Sequence, residues 1–265
     1  MNREKHIFSK QIRIKNLDIR YFNAGKGDPL IIIHGGGTGG AKGWLESVAA
    51  LSRDFTVYVP DLPGFGQSQP IEGDHIIEEY VNFVHNFADG LGLDSFYLAG
   101  HSLGGGIALR YAVKHPGNVR KLVIIDGVGT GTDLAAWVRL TAPSVICQSV
   151  GAVAAFFMKG VKRIIDRFHA PFKLLNPIPL AVVLLGTSML LQKQEAVDLV
   201  PRLALLMLPT LFVWGGKDRI TPVSNAYAAA EVIPESRVHI FEQGRHSVYK
   251  QNIEEFALLM NNFLR

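Results

Sequence analysis

A serine hydroxyl attacks a carbonyl only when a neighbouring base takes its proton. The serine best placed for that chemistry is Ser102, in the run Leu98-Ala99-Gly100-His101-Ser102-Leu103-Gly104-Gly105. G-x-S-x-G is too short a pattern to be specific alone. Its setting adds weight: an apolar stretch precedes it and an amphipathic helical stretch follows, the context of a nucleophile elbow. A strand that turns at once into a helix brings backbones close and forces the serine into strained φ/ψ. Its neighbours must lack bulk, and the flanking glycines do.

Imidazole is the side chain that takes a proton near neutral pH. Of nine histidines, His246 is best placed, in the loop Gly244-Arg245-His246 after the last apolar run. His239 falls within a predicted strand, His34 and His101 lie inside backbone-shaping motifs, and His169 sits in an inserted segment. His6, His75, His85 and His115 read as surface or helix positions. A carboxylate must fix the tautomer of the base and stabilise its imidazolium. Two aspartates compete: Asp218, after the run ending at Trp214, and Asp126, directly after Ile125. Either also reads as a turn or cap residue.

For these groups to meet, distant segments must end side by side. Leu30-Ile31-Ile32-Ile33 is a continuous apolar run, as in a strand covered on both faces. Similar runs recur at 55–59, 96–99, 122–125 and 210–214, with a final strand expected at 237–241. Between them, residues 44–51, 76–91, 103–114, 223–232 and 253–264 carry apolar side chains at helical spacing. The alternation predicts right-handed crossovers and an α/β fold with a doubly wound, mostly parallel sheet. In such a sheet, chemistry sits at the carboxyl ends of the strands. Residues 11–22 alternate around Lys15-Asn16 and predict an antiparallel edge hairpin.

The alternation breaks once. Residues 1–126 and 210–265 read as the core domain and 127–209 as an inserted helical cap, apolar and locally basic at Lys159, Lys162, Arg163, Arg167 and Lys173. Residues 174–191 are long enough to raise a membrane span, but Asn176, Pro177 and Pro179 break the first third. A cap helix lining an apolar cleft is the better reading. With 265 residues, 48% hydrophobic and 19% charged, the chain is neither disordered nor fibrous. A net charge of +4 with no Lys/Arg run makes nucleic acid an unexpected partner. The single cysteine, Cys147, forms no internal disulfide and no zinc cluster, and reads as a small buried hydrophobe. The polar N-terminus has no apolar signal segment, so a cytoplasmic location is expected.

Further motifs accompany the elbow. His34-Gly35-Gly36-Gly37 follows the first buried strand, Asp61-Leu62-Pro63-Gly64-Phe65-Gly66-Gln67-Ser68 follows the second, and Trp214-Gly215-Gly216-Lys217-Asp218 and Gly244-Arg245-His246 come downstream. In this order they resemble the oxyanion loop, the DxPGxGxS turn and the acid and histidine loops of the α/β-hydrolase fold family. The resemblance covers nearly the whole chain except the cap. It implies Ser102 as nucleophile, His246 as base and Asp218 as acid, with Asp126 an alternative acid, and the backbone N–H groups of Gly36 and Leu103 as the oxyanion hole. The Asp61 to Ser68 turn reads as structural, outside catalysis, and Trp44, Phe65 and Trp214 as core or near-core.

The implied activity is hydrolysis of a small apolar ester or related acyl compound, with no cofactor and no metal. The alternative is carbon–carbon bond hydrolysis of the meta-cleavage-product type, whose members share a His-Gly-Gly-Gly loop and a helical cap. The match is partial: those enzymes usually carry an aromatic residue after the histidine, where this chain has Ser247. They also use a cap arginine, for which Arg163 or Arg167 is a candidate. Ser102 at the nucleophile position disfavours an aspartate-nucleophile hydrolase. A non-catalytic member whose cationic cap makes peripheral membrane contact is a further alternative.

Overall fold

The computed structural model describes residues 7–36, 39–71, 77–130 and 200–265. Most of the expected cap, with Cys147, Arg163, Arg167 and the 174–191 segment, lies outside them. Among the described residues no helix is long and apolar enough to cross a membrane.

Eight strands form one sheet: β1 (Phe8–Ile14), β2 (Leu17–Ala24), β3 (Asp28–Ile33), β4 (Phe55–Pro60), β5 (Phe96–His101), β6 (Val119–Ile125), β7 (Thr210–Gly215) and β8 (Ser236–Phe241). Their spatial order is β1-β2-β4-β3-β5-β6-β7-β8. The β1/β2 and β2/β4 pairs are antiparallel and the other five are parallel. The hairpin pairs Ile14 with Leu17 across a two-residue turn, and Lys15, with φ +53°, supplies the positive φ such turns need. The pairing extends to Phe8 and Asn23, beyond the stretch where alternation is visible.

Among the described residues the α-helices are α1 (Leu45–Leu51), α2 (Ile77–Gly90), α3 (Leu103–Lys114), α4 (Val200–Leu203), α5 (Ser224–Ala230), α6 (Val248–Gln251) and α7 (Ile253–Leu264). They cover both faces of the sheet, which explains the unbroken apolar runs. Ile31 and Ile33 join Leu98, Ile124, Phe212 and residues of α2 and α3 in one core. Leu30 and Ile32, on the opposite face, join Ala99, Val123, Val213 and residues of α1 and α7 in a second. Each such fully buried side chain contributes roughly 1.5–3 kcal/mol relative to exposure. Trp44 and Trp214 are wholly buried, and Phe65 packs half-buried at the core's edge. Trp44 stacks on Tyr249 with ring centroids 3.7 Å apart, pinning the chain after β8 to the α1 side. The sheet thereby presents the ends of β5, β6, β7 and β8 along one rim.

Candidate active site

Ser102 stands between the last residue of β5 and the first of α3, with φ +52° and ψ −116°. For a non-glycine residue this is a strained conformation that the surroundings must impose. They do so through the backbone: Ser102 N–H donates to the Ile125 carbonyl (3.0 Å), and the Ser102 carbonyl accepts from Gly105 (3.0 Å) and Val128 (3.1 Å). Gly100 and Gly104 make the turn possible, since a Cβ on Gly100 would overlap the Gly104 carbonyl and one on Gly104 the Ile33 carbonyl.

His246 follows β8 and reaches Ser102 from the other side. Its Nε2 lies 2.9 Å from Ser102 Oγ, and its Nδ1 lies 2.8 Å from Asp218 Oδ2. A carboxylate only accepts, so Nδ1 carries the proton and Nε2 is left to accept from the serine hydroxyl. The Asp218 side chain is fully buried and that of His246 is 18% exposed, so the base stays open to solvent while its partner does not. Asp218 Oδ1 accepts the amides of Ile220 (2.7 Å) and Thr221 (3.2 Å), and Oδ2 also accepts the Thr221 hydroxyl (2.7 Å). Four donors thus hold one carboxylate in place. Thr221 is a site residue that sequence reading passes over, because a threonine three residues after a turn aspartate is commonplace.

Asp126, the competing acid, does not meet Nδ1 in this hydrogen bond. It is fully buried at φ +46°, with Oδ1 accepting Gly215 N–H (2.8 Å) and Oδ2 without a hydrogen-bond partner among the described residues. Burial pushes its carboxyl up to about 7, with His246 opposing the rise and Asp218 adding to it. A buried carboxyl so placed is favoured in its neutral form.

His101 has more than a backbone-shaping part. It is buried, and its Nε2–H donates to the His246 carbonyl at 2.7 Å, tying the elbow to the histidine loop. Burial, and then the neighbouring His246, hold its pKa well below the usual histidine range, so the ring stays neutral. Leu103 opens α3, a position whose amide has no intrahelical acceptor and sits at the positive end of the helix dipole. The glycine loop lies against it: a Cβ on Gly36 would stand 3.7 Å from Leu103 Cδ2, and one on Gly35 3.1 Å from Ser102 Cβ. Gly35 therefore lies against Ser102, and Gly36 against the Leu103 side chain. His101, Asp126 and His246 offer donor atoms within 4.8 Å of one another. Both ring nitrogens of His246 and Nε2 of His101 are already committed to hydrogen bonds within the protein. The arrangement is suited to moving a proton between a hydroxyl and an imidazole.

The profile of the alpha/beta hydrolase fold matches residues 28–178. A 2-hydroxymuconate semialdehyde hydrolase of Pseudomonas putida is 29% identical, over 91% of this chain and 88% of its own length. Among solved structures, a bacterial membrane phospholipase A is 26% identical at a TM-score of 0.72, covering 97% of this chain and 86% of its own. The 2-hydroxy-6-oxo-6-phenylhexa-2,4-dienoate hydrolase of Rhodococcus sp. strain RHA1 superposes with a TM-score of 0.76 over 98% of this chain and all of its own, at 21% identity.

Proposed function

The chain belongs to the α/β-hydrolase fold family, and from that premise we propose that it is a serine hydrolase cleaving a small apolar ester or related acyl compound through an acyl-enzyme. The observation that carries this reading is the continuous path Ser102 Oγ, His246 Nε2, His246 Nδ1, Asp218 Oδ2, with steps of 2.9 and 2.8 Å across the ring. Ser102 attacks the carbonyl carbon while His246 Nε2 takes the hydroxyl proton, and the Asp218 carboxylate stabilises the imidazolium. The negative oxygen of the tetrahedral intermediate meets the Gly36 and Leu103 amides, each such donor being worth about two to three powers of ten in turnover. His246 gives its proton to the departing alcohol. It then takes one from water, whose oxygen attacks the acyl carbon, and His246 returns that proton to Ser102 Oγ as the acyl–serine bond breaks and the acid leaves. Nothing else has to be supplied for an ester, whose leaving group needs only that proton.

A second reading, carbon–carbon hydrolysis of a vinylogous 1,5-diketone, is favoured by the P. putida relative, a 2-hydroxymuconate semialdehyde hydrolase. The same serine and imidazole would act, but the leaving group would be a stabilised carbanion. A fluorophosphonate probe with a substrate panel separates the cases. Labelling of Ser102 and turnover of 4-nitrophenyl esters are expected. Labelling with the diketone preferred by more than about a hundredfold in kcat/KM selects the second reading. No labelling and no turnover of either substrate sinks both.

A further inference from the structure

The glycine loop that carries Gly36 is anchored on both sides by groups outside it. His34, at its start, is 1% exposed; its Nε2 accepts the Leu62 N–H (2.9 Å), and its Nδ1–H donates to the Gly35 carbonyl (2.7 Å). Both ring nitrogens work only in the neutral Nδ1–H tautomer, and burial lowers the ring's pKa accordingly. At the far side, Ala41 N–H donates to Asp61 Oδ1 at 2.9 Å, and Gly40, at φ +48°, lies so near that a Cβ there would come within 2.7 Å of the same oxygen.

Asp61 itself is fully buried. Its Oδ2 accepts Gln67 N–H (3.0 Å) and Arg20 Nε (2.6 Å), with a second Arg20 nitrogen also on that oxygen. Arg20, 5% exposed, comes from the neighbouring antiparallel strand β2. A buried ion pair is costly to assemble and gains little for stability over apolar packing. Here its carboxylate bonds both the turn, at Gln67, and the far side of the glycine loop, at Ala41. That places a buried charge directly against Gly40 and Ala41.

Building on the serine-hydrolase reading, we propose that Arg20, Asp61 and His34 are positioning residues for the oxyanion loop, holding Gly36 N–H where the negative oxygen forms. The turn at Asp61, read from sequence as outside catalysis, then acts on the transition state through the loop.

The test uses the whole protein and two substitutions at His34. His34→Phe keeps an aromatic ring but removes the acceptor for Leu62 N–H, and His34→Gln restores one. Three constants are read: kcat and KM on a 4-nitrophenyl ester, and Ki for an arylboronic acid, which forms a tetrahedral adduct on Ser102. His34→Phe is expected to lower kcat and raise the boronate Ki together by about 10- to 100-fold, a part of what losing an oxyanion donor costs. KM should stay within twofold, and His34→Gln should recover most of the loss. Asp61→Asn, acting at the other side of the loop, should move the same two constants in parallel and serves if His34→Phe does not fold. A folded variant with kcat and Ki within twofold of wild type, or with only KM changed, overturns the proposal. A wild-type protein inert to both boronate and fluorophosphonate instead overturns the hydrolase reading beneath it.

Discussion

Replacing Asp218 by Asn keeps the side chain's shape and reverses one of its hydrogen-bonding atoms. Oδ1 accepts two backbone amides, from Ile220 and Thr221, and an Asn oxygen can keep both. The amide nitrogen then falls at the Oδ2 position, where the Thr221 hydroxyl and His246 Nδ1 point at 2.7 and 2.8 Å. A donor facing Nδ1 forces the imidazole into its Nε2–H tautomer, so Nε2 presents a proton to Ser102 instead of a lone pair. Loss of the correct tautomer typically costs about four powers of ten in kcat, which is roughly 5 kcal/mol of transition-state stabilisation. KM should change little, because Asp218 is buried behind the base. Steady-state kinetics on a 4-nitrophenyl ester, run in parallel on Asp126→Asn, gives the answer. Asp126→Asn is expected to stay within about tenfold of wild type, since Asp126 Oδ1 bonds Gly215 and not the imidazole. If Asp218→Asn kept more than a tenth of kcat while Asp126→Asn lost several powers of ten, the acid would be misassigned.

Asp126 also predicts a pH effect on stability. Its carboxyl holds a proton up to about 7 in the folded chain but only to about 4 when unfolded. Its contribution is therefore full below pH ~4 and is lost as pH rises toward 7, a cost of about 4 kcal/mol. Urea melts should show Asp126→Asn gaining on wild type between pH 5 and pH 8; a pH-independent difference contradicts the burial argument. His101 runs the other way. Its pKa is lowered by burial, so its contribution is present above pH ~6.5 and is lost on acidification, and His101→Phe should flatten the acid limb of the stability curve by up to about one proton. An unchanged slope below pH 6.5 would show that the ring is not held neutral. Gly104→Ala would press a methyl against the Ile33 carbonyl; loss of fluorophosphonate labelling together with a Tm fall of several degrees is expected, and normal labelling would show that the elbow tolerates bulk.

The strands were legible because burial on both faces leaves no polar alternation, as Leu30 to Ile33 show by dividing between two cores. The site was legible where a motif and a strand end coincide, as at Ser102 and His246. The choice between Asp218 and Asp126 rested on resemblance, because both follow apolar strands. Geometry separates them through a turn in which Ile220 and Thr221 amides aim the Asp218 carboxylate. The bond from His101 to the His246 carbonyl joins residues 145 apart, and Arg20 meets Asp61 across 41. Neither leaves a local trace, since the partners are neighbours only once β2 and β4 pair and β8 has returned to β5's rim. Helix α6, four residues long, is too short to show a period.

The central claim is that Ser102 carries the acyl group between two half-reactions. Rapid mixing with a 4-nitrophenyl ester, an acid quench and peptide mass analysis test it directly. The account predicts nitrophenol released at about one equivalent before steady state, one acyl group on the peptide containing Ser102, and neither in Ser102→Ala, whose turnover should fall by about six powers of ten. An acyl group on another residue, or undiminished turnover in Ser102→Ala, would contradict it.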